Sequence, residues 1–405
     1  MNCGKNPELR KKEKPRKWLQ RWLGRQDSNL RMLESKSEPK FRDLKALADI
    51  LVRNPSKRTT NKPHNRAGQI SIAERIGSRA AHSNNFDALR LIASLLVVFS
   101  HVFSLTGRHE PTLIGSHHSL GNLGVLIFFS ISGYLVSASW AEDPHAGRFL
   151  ARRALRLLPG AIVAVAAMYA FLSLLGLAGG PPENTVFNPF HLQAFQGNVN
   201  HLFNGPLWTL PFEAFCYLIL MTIGLIVRKP GLYMAAIFLC AWEIHGEVAR
   251  GAFLVYFGLF FCAGALVFHF PALRSPRSLC VLFVSGAYLC SGGQTITGLA
   301  LIVPAATIAI GLQSWPVLRD CAMFGDLSYG IYVYAWPVQQ LLIHWLGKDS
   351  NYLVLVTPCL AVTLLLAALS WKFVEAPALS LKPGRSVTCQ SSSPRDLAEQ
   401  SAQTS

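Results

Sequence analysis

Apolar residues are spread unevenly along this chain of 405 residues. From Phe86 onward they gather into ten runs, at about 86–105, 121–140, 157–178, 207–227, 231–246, 252–270, 278–292, 295–313, 323–346 and 352–374, parted by polar stretches. At 1.5 Å of rise per residue, about 20 residues in helix cross a hydrocarbon core of roughly 30 Å, and a helix satisfies its own backbone polar groups. The fifth and seventh runs are short, which leaves tilt, re-entry or a lower count open. The pattern predicts an all-α polytopic membrane protein, with about ten transmembrane helices around a central cavity in residues 86–380.

Charge tests that count. The inter-run stretches alternate between Arg-rich (Arg148, Arg152, Arg153, Arg156; Arg228, Lys229; Arg274, Arg277; Arg319; Lys372, Lys382) and nearly free of basic residues (Arg108, Arg250, Lys348). The positive-inside rule then puts both termini in the cytoplasm, as expected for a multi-pass protein of the cell inner membrane. Composition agrees: 51% hydrophobic and 15% charged excludes an ordinary soluble multi-domain chain.

The net charge of +16 suggests a nucleic-acid partner until it is divided by region. Residues 1–85 carry 21 Lys/Arg against 8 Asp/Glu, whereas residues 86–405 carry 17 against 14. The excess belongs to a basic tail, expected to be disordered and cytoplasmic and to favour anionic membrane lipid over nucleic acid. Its string GRQDSNLRM, Gly24 to Met32, reads like a transfer-RNA gene translated by mistake, so the tail is given no function and the start of translation is expected further on. Residues 381–405, rich in Ser and Gln, read as a second disordered tail. Most of the nine cysteines lie inside apolar runs without CxxC or His/Cys spacing, so neither a metal site nor a disulfide framework is expected.

Candidate chemistry sits where charge interrupts lipid-compatible sequence. In FDALRLIASLLVVFSHVFSL, Arg90 and His101 stand about 16 Å apart along a helix axis, one near a membrane face and the other well inside. An ionisable group at depth costs roughly 2.5–3.5 kcal/mol, which leaves two readings open: His101 as the candidate general base, or His101 bonding a neighbouring helix while Arg90 snorkels to the interface. Arg153 and Arg156 share a helix face at the mouth of the third run. They suit either a polyanionic ligand or simple anchoring.

In GPLWTLPFEAFCYLIL, Glu213 lies within lipid depth. Counted from opposite faces, His101 and Glu213 reach nearly the same level, so Glu213 is expected to orient His101 or to stabilise its imidazolium. Trp208 in this run, with Ser328, Tyr329 and Tyr332 of the ninth, is assigned to the substrate cavity. The ninth run, with Gly330 and Pro337, is expected to line it or to pack through interhelical hydrogen bonds. The outer loop from Ala178 to Pro206 carries Asn184, Asn188, Asn198, Asn200, Asn204, His191 and His201 and no Lys or Arg, a composition suited to a neutral hydroxylated ligand or to ordinary solvation.

Six stretches together resemble the membrane-bound acyltransferase 3 family: FDALRLIA with Arg90 and His101 in R-x10-H spacing, GVLIFFSISGYL, RRALRLLP, LWTLPFEAFCY, LSYGIYVYAWPVQ and FVEAP at Glu375. The resemblance covers nearly all of 86–380. It implies O-acylation of a carbohydrate hydroxyl from cytoplasmic acyl-CoA, most simply acetyl-CoA. It also implies that His101 is the essential histidine, that Arg90 belongs to the same motif, that Arg153 and Arg156 lie near the CoA phosphates, and that Glu213 is the acidic position of the fourth run. Two departures stand out: Ala335 occupies a position where many relatives have histidine, and the hydrolase-like domain fused to some members is missing. The competing reading is a proton-coupled transporter or flippase of a carbohydrate or lipid-linked intermediate, with His101 and Glu213 as its relay.

Overall fold

The computed structural model describes residues 84–113, 118–178, 194–195, 197–227, 229–244, 253–320 and 326–383. Both expected tails, apart from residues 84–85 and 381–383, lie outside this set, as do Asn184, Asn188 and His191 of the outer loop. The main helices are α1 (Phe86–Leu105), α2 (Leu120–Glu142), α3 (Ala146–Leu174), α4 (Leu210–Ile226), α5 (Pro230–Ile244), α6 (Phe253–His269), α7 (Pro276–Ser291), α8 (Thr295–Gly311), α9 (Ser328–Leu346) and α10 (Tyr352–Ser370). No strand occurs among the described residues; isolated β bridges join Thr112 to Ser119 and Ala178 to Ala194.

The helices follow the ten apolar runs in order. Five segments, containing α1, α2, α3, α4 and α10, are long and apolar enough to cross a membrane; α5 to α8 are apolar but shorter. Two boundaries differ from expectation. Helix α3 begins at Ala146, because RFLARRALRLL is itself a good helix-forming sequence capped by the His145 side chain, and so the arginines ride on its first turns. Helix α9 begins at Ser328, and Asp326 is left just before it.

Small residues let the central helices touch through their backbones. A Cβ on Gly133 of α2 would fall 1.9 Å from the Phe261 carbonyl oxygen of α6, and one on Gly264 of α6 would fall 2.2 Å from the Ser130 oxygen. Such reciprocal approach is how helices pack where the solvent is as apolar as their side chains. Gly124 admits α1 in the same way, against the Ala93 carbonyl. Large apolar side chains point outward instead on α3, α4 and α10: Ile162, Leu174, Phe215, Ile226, Leu353 and Leu365 are all exposed, as a lipid-facing surface requires.

Helix α9 is the polar helix at the centre, buried along most of its length. Pro337 cannot donate to the Val333 carbonyl one turn back, and Asn204 Nδ2 donates to it instead at 2.8 Å. The strand-like segment before Gly205 is strapped to the same helix. Asn198 Nδ2 donates to the Gln340 Oε1 at 2.7 Å, Gln340 Nε2 donates to the Asn200 carbonyl at 2.7 Å, and Trp336 Nε1 donates to the Leu202 carbonyl at 3.0 Å. Asn198 and Asn204 therefore bond their amides to α9, whereas Asn200 gives α9 its backbone carbonyl and turns its side-chain oxygen to the Leu202 N–H at 2.9 Å. Past α10, a π turn at Trp371–Glu375 swings Glu375 inward, where its carboxylate accepts from Ser370 Oγ at 2.9 Å.

Candidate active site

The four arginines that open α3 are sorted by carboxylates. Arg148 donates to both oxygens of Asp143, at 3.0 and 2.6 Å, and Arg152 donates to Asp143 at 2.7 Å. These bonds from Arg148 and Arg152 hold the Asp143 carboxyl well below the usual range. Arg153 and Arg156 turn the other way, onto a cavity of about 70 Å³ that Arg90 of α1 also lines, together with Glu213, Tyr217 and Tyr332. Ser328 and Tyr329 line it as well.

Asp326 is the hub of this arginine cluster. It accepts a close hydrogen bond from Arg156, lies 3.7 Å from Arg90, and takes a 2.5 Å bond from Ser328 Oγ. Arg153 is held less firmly: it reaches Ser139 Oγ at 3.3 Å and lies over the rings of Phe149 and Tyr217 at 5.8 and 6.0 Å, and its Nε is buried without a partner among the described residues. Lys382, which the sequence assigns to the tail, lies near enough that burial, followed by repulsion from Arg156, Arg153 and Arg152, lowers its pKa.

His101 lies in a different place. Its imidazole lines a larger cavity, of about 590 Å³, with Ser104, Glu110, Trp208, Phe212 and Trp336. The ring meets Trp336 edge to face, with centroids 4.9 Å apart. Gly205 makes this possible, since a Cβ there would fall 2.8 Å from the Trp336 ring.

The expected contact between His101 and Glu213 is not present. Glu213 accepts from Ser132 Oγ at 2.8 Å and, more closely, from the Tyr217 hydroxyl. Depth arithmetic gave the two residues one level but said nothing of rotation about the helix axis. Phe212 faces the histidine cavity and Glu213, one residue on, faces the arginine cavity. The single substrate cavity is likewise two: Trp208 lines the histidine cavity, packed on Phe253 and Phe257, apart from Ser328, Tyr329 and Tyr332.

The two cavities are neighbours along α9. Tyr332 lines one and Trp336, a turn later, lines the other. At the boundary the Tyr332 and Thr209 hydroxyls meet at 2.6 Å, and the Tyr332 hydroxyl also donates to the Pro206 carbonyl at 3.0 Å.

Residues 83–372 match the sequence profile described as an acyltransferase domain. The chain belongs to the acyltransferase 3 family. Among the relatives of this acyltransferase, a protein of Shigella phage Sf6 named O-acetyl transferase is 32% identical over 326 residues, covering 72% of this chain and 95% of the relative. Nodulation protein 10 of Rhizobium leguminosarum bv. viciae is 28% identical over 360 residues, covering 75% and 95%. A Bacillus subtilis protein provisionally named a peptidoglycan O-acetyltransferase is 28% identical over 330 residues, covering 64% of this chain and 50% of its own length. No solved structure matches the acyltransferase significantly.

Sequence reasoning overlooked two carboxylates of the acyltransferase. Asp326 had a legible signal, a lone acid in FGDLSYG at the mouth of a polar run, close to where the arginines were expected. Glu110 had none, because an acid in a loop such as RHEPT reads as solvated.

Proposed function

We propose that this acyltransferase is an integral membrane O-acetyltransferase that moves an acyl group, most simply acetyl, from acyl-CoA to a carbohydrate hydroxyl. The observation that carries the reading is the placing of Arg90 and His101 on one helix, each in its own cavity, with Tyr332 and Thr209 between. Donor chemistry suits the arginine end. Arg90, Arg153 and Arg156 offer planar donors matched to phosphate oxygens, Arg153 has a buried N–H to spare, and Lys382 adds charge. The thioester arm enters the arginine cavity while the phosphates engage Arg90, Arg153 and Arg156, where they compete with Asp326 for Arg156.

Acceptor chemistry suits the histidine end, where a roomier cavity lined by Trp208, Phe212 and Trp336 offers aromatic faces to a sugar ring. His101 takes the proton of the acceptor hydroxyl as its oxygen bonds to the acyl carbon, the C–S bond breaks, and the departing CoA thiolate is protonated. The names of the phage and Bacillus relatives support O-acetyl transfer, the latter to a glycan. The arginine end and both termini then face the cytoplasm, and the histidine end faces the far side of the inner membrane.

The transporter reading needs a relay between His101 and Glu213, and nothing among the described residues connects the two. The test is transfer from labelled acetyl-CoA to a cell-envelope glycan extract, with protein in lipid nanodiscs. Loss of transfer in His101→Ala with CoA binding retained supports the reading. Wild-type protein that neither binds nor consumes acyl-CoA across varied donors and glycans sinks it.

A further inference from the structure

An acid in a loop following a membrane helix normally points to water, but Glu110 is turned inward and held there. Its Oε2 accepts from Ser100 Oγ at 2.5 Å, and Ser100 is fully buried on α1 immediately before His101. The loop is fixed on both sides of this bond. The Arg108 guanidinium donates to the Ser350 carbonyl at 2.9 Å, and the carbonyl of Pro111 accepts from the Leu120 N–H at 3.0 Å as α2 begins. The Thr112–Ser119 bridge closes the loop beyond it. Glu110 thus opens onto the same cavity as His101, and its Oε1 has no hydrogen-bond partner among the described residues.

We infer that Glu110, and not Glu213, is the carboxylate that serves His101: a positioning residue that Ser100 anchors at the edge of the histidine cavity and that balances the charge on the imidazole as it takes the acceptor proton. The inference rests on the reading of His101 as the general base. The geometry favours it because Glu213 spends its carboxylate on Ser132 and Tyr217 in the other cavity, while Glu110 has one oxygen anchored and one free. A negative charge held beside the imidazole stabilises the cation that forms there, and the more so the less water screens the pair.

The experiment compares wild type with Glu110→Gln, Glu110→Asp, Ser100→Ala and His101→Ala in nanodiscs, reading kcat and KM for acetyl-CoA and for the glycan acceptor, with CoA binding as the check on folding. Glu110→Gln is expected to lower kcat about 10- to 100-fold with both KM values within a few-fold of wild type, a part of the roughly 100- to 10,000-fold that general acid–base catalysis contributes. Glu110→Asp should recover part of the loss, and Ser100→Ala should show a smaller loss of the same kind. Wild-type kcat in Glu110→Gln beside an inactive His101→Ala overturns the role of Glu110 and leaves the base intact. A rise in acceptor KM with kcat unchanged overturns it too, since Glu110 would then bind substrate instead of serving His101. Full activity of His101→Ala overturns the underlying reading itself. Should Glu110→Gln fail to fold, Glu110→Asp and Ser100→Ala decide: unchanged kcat in both overturns the inference, and a kcat loss with KM preserved supports it.

Discussion

Tyr332 and Thr209 join their hydroxyls at 2.6 Å across the boundary between the two cavities, bringing together α9 and the turn that leads into α4. A buried bond of this kind contributes about 0.5–1.5 kcal/mol net. Tyr332→Phe and Thr209→Val should each lower thermal stability in detergent by about that much. The double variant should lose less than the two single losses combined, because both remove the same bond. Additive losses in melting curves would show that the hydroxyls act separately.

Asp326 answers the charge of Arg156 and Arg90 at once. Removing one partner of a buried ion pair typically costs about 3–5 kcal/mol, since the remaining charge is left uncompensated. Asp326→Asn should therefore melt well below wild type, and added CoA should restore more stability to it than to wild type, by supplying the missing anion. Equal stabilisation of the two proteins by CoA would place the phosphates elsewhere.

Gly133 and Gly258 form a contrast. A Cβ on Gly133 meets the Phe261 carbonyl oxygen at 1.9 Å, whereas one on Gly258 meets nothing within 4 Å. Gly133→Ala should abolish the accumulation of folded protein, and Gly258→Ala should be silent or slightly stabilising through helix propensity. Fluorescence-detected size exclusion of the two variants distinguishes these outcomes.

Asp143 lies between Arg148 and Arg152, whose hydrogen bonds depress its pKa. A depressed carboxyl contributes stability that is fully present above its unfolded value of about 3.9 and is lost as pH falls through the lower folded value. Asp143→Asn should melt below wild type at pH 7, and the gap should close as the medium is acidified below about pH 3.9. A gap that stays constant across that range would mean that the aspartate acts by packing alone.

The helices were legible in the sequence because hydropathy and helix formation are local: the apolar runs became the main helices in the same order. Arg90, Arg153 and Arg156 were expected together at one membrane face from the charge pattern, which fixes a level but not a direction. In the structure the three line one cavity. The partners of these charges were not legible. Asp326 lies 170 residues from Arg156, and no spacing rule connects them.

What the sequence determined by itself is thus the set of helices and the family, which follow from hydropathy and motifs local to the chain. What only the tertiary structure decided is direction. Each helical step turns a side chain by about 100°, so Phe212 and the adjoining Glu213 enter different cavities, and a carboxylate expected beside His101 goes to Ser132 and Tyr217 instead. The loop acid Glu110 reaches the histidine cavity because Ser100, Arg108 and Pro111 fold it back there, through bonds set by how α1, α2 and the segment before α10 pack together.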